Sequence, residues 1–356
     1  METHKRGKSN ESEPKDDNIV YDEVKLDDLP KFTDLKAQVD EVVARSSWWD
    51  LYGVDWAIIV VFLGLFYVSL LMLRSESWLV FGGGAFLCGW FYQSMGVKAG
   101  HSSAHGGLTK SKLLHRPLAN IFVEFIGTFS EELAYYGHIK EHHPYTNVIG
   151  IGDSAVWKVP ALPRFVYMFF GPLMLPPVTI IVSIAGLLEK KSFLSVVKYV
   201  IVAGAGLCLM TYLLMNVSGL SLSSAVAVMW ISRGVFSIPY IHVNIFQHIG
   251  LPMFAKEHRP VRIYQMTVGV LNLPRNIILD YAFGHAVVSC HIEHHLFPKL
   301  SDNMCLKIQP IVSKFVKESG LPYNEKTYFN RLTLFLDQYE KLMVNAPPIT
   351  HFVGIQ

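Results

Sequence analysis

The apolar residues of this chain fall in long unbroken runs rather than in the period-two alternation of half-buried strands. Residues 54–73 carry one charge, Asp55, at their very start, and residues 78–97 carry none. About 20 apolar residues suffice to cross roughly 30 Å of hydrocarbon. The four residues between the runs therefore predict a tight transmembrane hairpin. Gly82, Gly83, Gly84 and Gly89 in its second arm allow close helix approach, or leave space for a ligand. Three further apolar runs cover about 165–188, 198–215 and 222–243. Ahead of the hairpin, Leu35, Val39, Val42 and Val43 share one face of a short amphipathic helix, which ends in Trp48-Trp49 at an expected membrane interface. Residues 118–136 are apolar but interrupted by Glu124, Glu131 and Glu132, a pattern of an interfacial helix. Gly150, Gly152, Pro160 and Pro163 mark a loop. Residues 1–17 are almost wholly polar and predict disorder. From about Leu251 onward the pattern is mixed, with helical stretches at 308–318 and 328–344 that predict a helical cap. The fold class is thus all-α, a polytopic membrane protein with four transmembrane helices. Its organisation is a polar N-terminal region at 1–50, one membrane domain at 51–345 and a tail at 346–356.

Composition agrees with this pattern. The chain of 356 residues is 51% hydrophobic and 17% charged, against roughly 25% charged in ordinary soluble domains. A net charge of +2 carries no nucleic-acid signature. Cys88, Cys208, Cys290 and Cys305 are too dispersed for a disulfide framework or a zinc finger. No apolar stretch in residues 1–50 resembles a signal peptide.

The chemistry lies in the histidines. His101-Ser102-Ser103-Ala104-His105 has helical i, i+4 spacing. His138-Ile139-Lys140-Glu141-His142-His143 follows, and His291-Ile292-Glu293-His294-His295-Leu296-Phe297-Pro298 places three imidazoles within five positions. Eight of the chain's 15 histidines lie in these three clusters. Neutral imidazole ligates iron, zinc and copper. Eight ligands exceed one tetrahedral zinc and suit two metals of higher coordination number. The Glu-x-x-His pattern of soluble di-iron bundles is absent.

If the three clusters form one site, an even number of crossings separates the second from the third. Arg233 sits in the middle of the run at 222–243, and a charge at the bilayer centre costs at least about 2.5 kcal/mol. The runs at 165–188 and 198–215 are therefore expected to span, and the third to lie along the interface. Lys98, Lys110, Lys112, Arg116 and Lys140 fall on the histidine side in this arrangement. Glu189-Lys190-Lys191 would fall on the far side, against the usual charge bias.

The three boxes H-x-x-x-H, H-x-x-x-H-H and H-x-x-H-H, with two spans before the first and two between the second and third, resemble those of the membrane fatty acid desaturase family over about Trp49 to Leu336. His294-His295-Leu296-Phe297-Pro298 resembles the third box of front-end desaturases. His143-Pro144-Tyr145-Thr146-Asn147 with Asp153 resembles the segment after the second box in bacterial and plant acyl desaturases. The resemblance implies two iron ions held by His101, His105, His138, His142, His143, His291, His294 and His295. It adds His248, reached through Asn244-Ile245-Phe246-Gln247-His248, with Asn244 binding iron through water. It also implies an oxygen-dependent desaturase of the endoplasmic reticulum, with N-terminus and boxes cytosolic. The substrate is a membrane lipid or acyl-CoA, and electrons come from NADH through an external cytochrome b5 and its reductase. Two departures stand out: His291 occupies a position where front-end enzymes usually carry Gln, and there is no fused haem-binding His-Pro-Gly-Gly. A fatty acyl or sphingolipid hydroxylase on the same scaffold is the alternative, and a silent interaction scaffold is a third reading that intact boxes argue against.

Other residues carry weaker expectations. His285 reads as structural or as a support for a ligand, and His115, His242, His258 and His351 have no partners at ligand spacing. Glu124, Glu131, Asn147 and Asp153 are candidates to orient ligand imidazoles. Lys256, Arg259, Arg262, Arg275, Lys299, Lys307, Lys314 and Lys317 are candidates for a basic dock for the acidic electron carrier.

Overall fold

A computed structural model describes residues 29–149, 151, 162–256 and 259–340. Among these residues the fold is helical, with isolated β-bridges such as Val148 with Phe254 and Asn272 with Glu325. In chain order the helices are α1 (Phe32–Arg45), α2 (Val54–Met72), α3 (Trp78–Gln93), α4 (Gly100–Ala104), α5 (Lys112–Ala119), α6 (Glu131–Ala134) and α7 (Leu175–Glu189). After them come α8 (Phe193–Asn216), α9 (Leu222–Phe246), α10 (Arg262–Val268), α11 (Ile277–Phe283), α12 (His291–Leu296), α13 (Asp302–Glu318) and α14 (Tyr328–Asp337). Short π-helical turns link several of them, at Trp49–Gly53, Ser94–Ala99, Asn120–Ile126, Tyr135–His142 and Val166–Phe170. The readings placed on 1–17, on the loop residues Gly150, Gly152 and Pro160, and on 346–356 lie outside the described residues.

Trp49–Met72, Val166–Glu189, Phe193–Asn216 and Leu222–Phe246 are long and apolar enough to cross a membrane. Val60, Val61, Leu63, Ile201, Leu209 and Ile231 stand exposed on them, as lipid-facing residues do, because hydrocarbon and not water is their solvent. The chain is a multi-pass membrane protein. α2 and α3 form the expected hairpin. A Cβ on Gly89 would lie 2.4 Å from the Ser232 carbonyl oxygen, so glycine there serves the close crossing of α3 and α9 and leaves no space for a ligand.

The assignment of the later runs needs correction. Both ends of Val166–Glu189 lie on the histidine side. At one end Tyr167 stacks among Phe335 and Tyr339 beside α14. At the other, the Lys190 ammonium sits 3.7 Å from the Tyr136 ring centroid, just ahead of the second box. Between these ends the segment dips to Leu173, whose carbonyl accepts from Trp230 Nε1 at 2.8 Å. Pro172, Pro176 and Pro177 supply the bend, since each lacks a backbone N–H and interrupts regular helix. α8 then leaves the histidine side, where Ser195 donates to Glu132 (2.8 Å) and Lys198 to Asn120 (2.7 Å). It ends on the far side, where Leu214 packs with Leu70 and Leu73 of the first hairpin. Capped by Ser221 at its N-terminus, α9 returns. The two crossings are therefore α8 and α9, and the third apolar run spans after all. Arg233 permits this because it faces inward, donating to Thr128 Oγ1 at 2.7 Å and to the Tyr92 hydroxyl. Moreover, the Glu189-Lys190-Lys191 turn lies on the histidine side, which removes the charge-bias objection.

Residues 118–136 are not one helix. A regular turn and a π turn run to Ile126, Gly127 and Thr128 break the path, and Ser130 caps α6 by accepting from Leu133 N at 3.4 Å. Over the histidine side α13 presents Ile308, Val312 and Val316 to Leu35 and Val39 of α1 and to Ile292 and Leu296 of α12. α14 keeps the expected start at Tyr328 and runs to Asp337, and part of the stretch expected to extend it lies outside the described residues.

Candidate metal centre

The four histidine-bearing segments converge into two adjoining sets. His101, His105, His138, His143 and His294 form one, and His142, His248, His291 and His295 the other. Within each set, one ligand nitrogen per residue lies within 4.8 Å of all the others. All nine imidazoles predicted as ligands are therefore brought together.

Local helix geometry explains how each box divides between the sets. In the second box His143 N donates to His138 O at 3.1 Å, an i to i+5 bond of a π turn. Regular helix would rotate His143 away from His138. The wider turn brings them edge to face in one set, and His142 points to the other. Such π turns concentrate at functional sites. In α12, the i+4 pair His291 and His295 joins one set, while His294 reaches across to the first. Sequence spacing alone left open which of them shares a face with His291.

Hydrogen bonding fixes the tautomers of the second set. His291 Nδ1 lies 2.9 Å from Ala286 O and His248 Nδ1 lies 3.2 Å from Gly269 O. A carbonyl can only accept, so both Nδ1 atoms carry the proton. The Thr146 hydroxyl spends its proton on His142 O (2.8 Å) and so accepts from His295 Nδ1 at 3.1 Å. The Nε2 atoms of these three rings are consequently bare lone pairs. They nonetheless face one another, at 2.9 Å between His248 and His291 and 3.1 Å between His295 and His291. Lone pairs so placed repel unless a cation lies among them. Nitrogens held about 2.0–2.1 Å from a metal lie about 2.9 Å apart at right angles and about 3.4 Å apart in a tetrahedron. The observed spacing fits the higher coordination number. In the first set, His138 Nε2 lies 3.0 Å from the Nε2 atoms of both His101 and His143, and His143 Nε2 lies 3.0 Å from that of His294. The residues present fit a pair of metal ions.

Burial keeps these rings neutral. It pushes the pKa of His101 down to about 4 and of His142 to about 3. His105, His138, His143, His248, His291, His294 and His295 are held well below the usual value by burial and then by neighbouring imidazoles. Neutral rings are the ligand form, so little is lost to proton competition near pH 7. Asn244 stands one helical turn before His248. Its Nδ2 donates to Tyr240 O at 2.9 Å, and its buried Oδ1 has no hydrogen-bond partner.

The supports of the ligands were mostly illegible in the sequence. Thr146, Gly269 O and Ala286 O had no assigned role, and backbone carbonyls have no residue signature. Asn147 acts, but through the backbone: its Nδ2 donates to Gly269 O (3.1 Å), the carbonyl that takes His248. Glu124 instead pairs with Lys198 at 3.3 Å and Glu131 with Arg116 at 3.8 Å, and neither touches a ligand ring. Asp153, His258 and His351 lie outside the described residues. His285 is structural, against Ser289 and Asp280. So are His242, between Met168 O and Tyr328, and His115, on Thr109 O. Glu293, between two ligands, points away from them. It accepts from Tyr323 (2.7 Å) and Asn272 (3.0 Å), and burial raises its carboxyl to about 7 against those two bonds. Asn272 also accepts from Ile292 N at 2.9 Å, which clamps the start of α12. Arg262 clamps its end, donating to His295 O at 2.6 Å, and is spoken for as a docking residue. The Lys98 ammonium pairs with Asp302, whose other oxygen accepts from Ala286 N at 2.7 Å. The lead-in to the first box thereby holds the loop that orients His291. Burial pushes the Asp302 carboxyl up, but Lys98, His285 and the Ala286 N–H outweigh it and hold it at about 2.

A cavity of about 70 Å³ adjoins the first set, bordered by His101, His138, Gly100, Leu175, Tyr240 and Tyr92. Its walls are largely apolar, which suits hydrocarbon.

These features define a class: a multi-pass membrane protein that buries two adjoining sets of neutral imidazoles beside an apolar cavity. Residues 76–327 match the family model described as fatty acid desaturase. The chain is 49% identical over 324 residues to "Fatty acid desaturase 6" of Bos taurus, covering 91% of this chain and 94% of that protein. It is 47% identical to the Homo sapiens protein of the same name, with 90% of each chain covered. A shorter match, 27% over 111 residues, links it to "Delta(5) fatty acid desaturase fat-4" of Caenorhabditis elegans, covering 31% of this chain and 24% of that one. The chain belongs to the fatty acid desaturase family.

Proposed function

We propose that this protein is an oxygen-dependent fatty acyl desaturase that introduces a cis double bond. The carrying observation is the pair of imidazole sets with converging bare lone pairs beside an apolar cavity. The metal pair would be two irons, held by His101, His105, His138, His143 and His294 on one side and by His142, His248, His291 and His295 on the other. Bound there, they would supply dioxygen activation and removal of two hydrogens from adjacent carbons. Asn244 Oδ1 would complete the second set through a water. The protein's own contribution is to keep every ligand neutral and oriented, and to hold the acyl chain beside the first set. Reduction of dioxygen to two waters takes four electrons, of which the acyl chain supplies two. The other two would come from NADH through cytochrome b5 and its reductase, with the histidine side facing the cytosol from the endoplasmic reticulum membrane. Lys256, Arg259, Arg275, Lys299 and Lys317 are exposed on that side and available to an acidic carrier.

The test is expression in a host lacking its own desaturase, fed isotopically labelled acyl chains. A product lighter by two hydrogens supports desaturation. A product heavier by one oxygen would replace it with hydroxylation, and unchanged lipid from an iron-loaded protein would refute both.

A further inference from the structure

The deep end of the cavity beside the first histidine set meets a cation that the fold does not neutralise. Arg233 lies midway along α9, is 5% exposed and borders the cavity. Its Nη2 donates to Thr128 Oγ1 at 2.7 Å, to Gly127 O at 3.5 Å and to the Tyr92 hydroxyl. Its guanidinium lies 3.7 Å from the Tyr92 ring centroid. Every one of these partners is neutral. Its Nε is buried with no hydrogen-bond partner, and among the described residues no carboxylate lies within ion-pair distance. Lys98, equally buried at 5% exposure, shows the usual solution: it has Asp302, with Asp55 at 3.8 Å. Buried charges are normally paired, and in a membrane an ionisable residue without a partner marks a ligand or ion path.

The surrounding backbone is built for this contact. Thr128 has φ +56°, a left-handed conformation that a β-branched residue rarely adopts. Such outliers persist where the surroundings over-determine them, commonly at ligand clamps. The turn is what aims Thr128 Oγ1 and Gly127 O at the guanidinium. Along α9, Asn244, Tyr240, Ser237 and Arg233 recur at helical spacing, and Tyr240, Ser237 and Arg233 all border the cavity. Eleven residues of helix place Arg233 about 16 Å from Asn244. An alkyl chain in the cavity therefore has the imidazoles near one part and the guanidinium at its inner end. A methyl terminus would leave Arg233 without a counter-charge, whereas a carboxylate would supply that charge and an acceptor for the unpartnered Nε.

We propose that Arg233 binds a carboxylate carried at the inner end of the alkyl chain that occupies this cavity, an inference that rests on reading the cavity as the acyl site. The carboxylate could be that of a free fatty acid inserted head-first. It could equally be the far carboxylate of a dicarboxylic chain whose thioester stays outside.

Equilibrium binding of four labelled probes to the purified iron-loaded protein separates these sources. The probes are palmitate, methyl palmitate, hexadecanedioyl-CoA and palmitoyl-CoA. Palmitate binding roughly tenfold or more tighter than its methyl ester assigns the first source, and the same margin for hexadecanedioyl-CoA over palmitoyl-CoA assigns the second. In Arg233→Gln the preferred ratio collapses to near one, while Arg233→Lys keeps a reduced preference, with iron content and melting temperature as folding controls. If neither carboxylate probe is preferred by the unmodified protein, the inference is overturned even should the variants fail to fold. A preference surviving in a folded Arg233→Gln protein overturns it as well. Binding of all four probes without preference leaves the acyl reading standing and removes only this inference. Binding of none removes both.

Discussion

Thr146→Val tests the inner organisation of the metal centre. Thr146 Oγ1 donates to His142 O at 2.8 Å and accepts from His295 Nδ1 at 3.1 Å. Valine keeps the shape and removes both bonds. His295 Nδ1–H would then be buried without a partner, which costs about 1–3 kcal/mol. The ring regains that energy by turning or by changing tautomer, and either move withdraws the Nε2 lone pair from its set. Independently, loss of a bond that orients a metal-bound imidazole typically lowers metal affinity about 10–100-fold, equivalent to about 1.4–2.7 kcal/mol. The two estimates coincide because they describe one event from opposite ends. The set containing His295 bears the effect, since Thr146 bonds to no ring nitrogen of His101, His105, His138, His143 or His294; its one contact with that set is a long 3.5 Å donation to the His143 carbonyl, which does not orient the ring. Chelator titration followed by elemental analysis should therefore show half of the bound iron leaving at about 10–100-fold lower chelator concentration, with the other half unmoved. Thr146→Ser, which keeps the hydroxyl, should titrate like the unmodified protein. Equal retention of both irons in Thr146→Val would refute the tautomer assignment of the second set.

Three further outcomes follow from the same structure. Lys98→Met strands Asp302 and Asp55 as buried carboxylates and should cost about 3–5 kcal/mol; an unchanged melting temperature in detergent would show that the pair does not hold α13 to the first hairpin. The metal-free protein should lose stability as pH falls below about 6.5, because burial depresses the folded-state values of His101 and His142 to about 4 and about 3 while the unfolded rings protonate first. Each such ring contributes about 1.4 kcal/mol per pH unit over that window, and a melting temperature flat from pH 8 to pH 5 would contradict it. A glycosylation sequon lengthened into the 217–220 turn should be modified and one placed at 190–192 should not; sugar on the second would put the Lys190 turn on the far side and reverse the crossings described above.

The histidines that converge into the two sets were legible because metal chemistry writes itself into residue type and spacing. Histidines at i, i+4 or i+5 have few other uses in apolar surroundings, and the count of imidazoles alone implied two metals. The supports were not legible, because Gly269 O and Ala286 O are backbone atoms and Thr146 is an ordinary residue at an ordinary place. The crossings were misjudged for a different reason. Arg233 was priced as a charge in lipid, whereas it sits inside the bundle with Tyr92 and Thr128, and sequence does not say which way a side chain faces. Likewise Pro172, Pro176 and Pro177 were visible, but their meaning depended on where the ends of the segment were anchored. That information lies in contacts such as Lys190 on Tyr136, 54 positions apart in the sequence.

The non-crossing segment at Val166–Glu189 connects topology to chemistry. Had it crossed, α8 would have begun on the far side, and His248 at the end of α9 could not have joined the boxes without a further crossing. By folding back it keeps the crossing number even. It also brings Leu175, Pro176 and Thr179 under the first histidine set, where they border the cavity opposite Gly96, Gly100 and His101. A fully crossing helix would present a regular, self-satisfied cylinder there. The bent one offers an apolar wall at the depth where a hydrocarbon chain must pass the imidazoles, and its carbonyl at Leu173 is satisfied by Trp230 of α9, so the break exposes no unpaired backbone at that point. The same bend thus fixes which side the ligands occupy and shapes the space in which the acyl chain would be held.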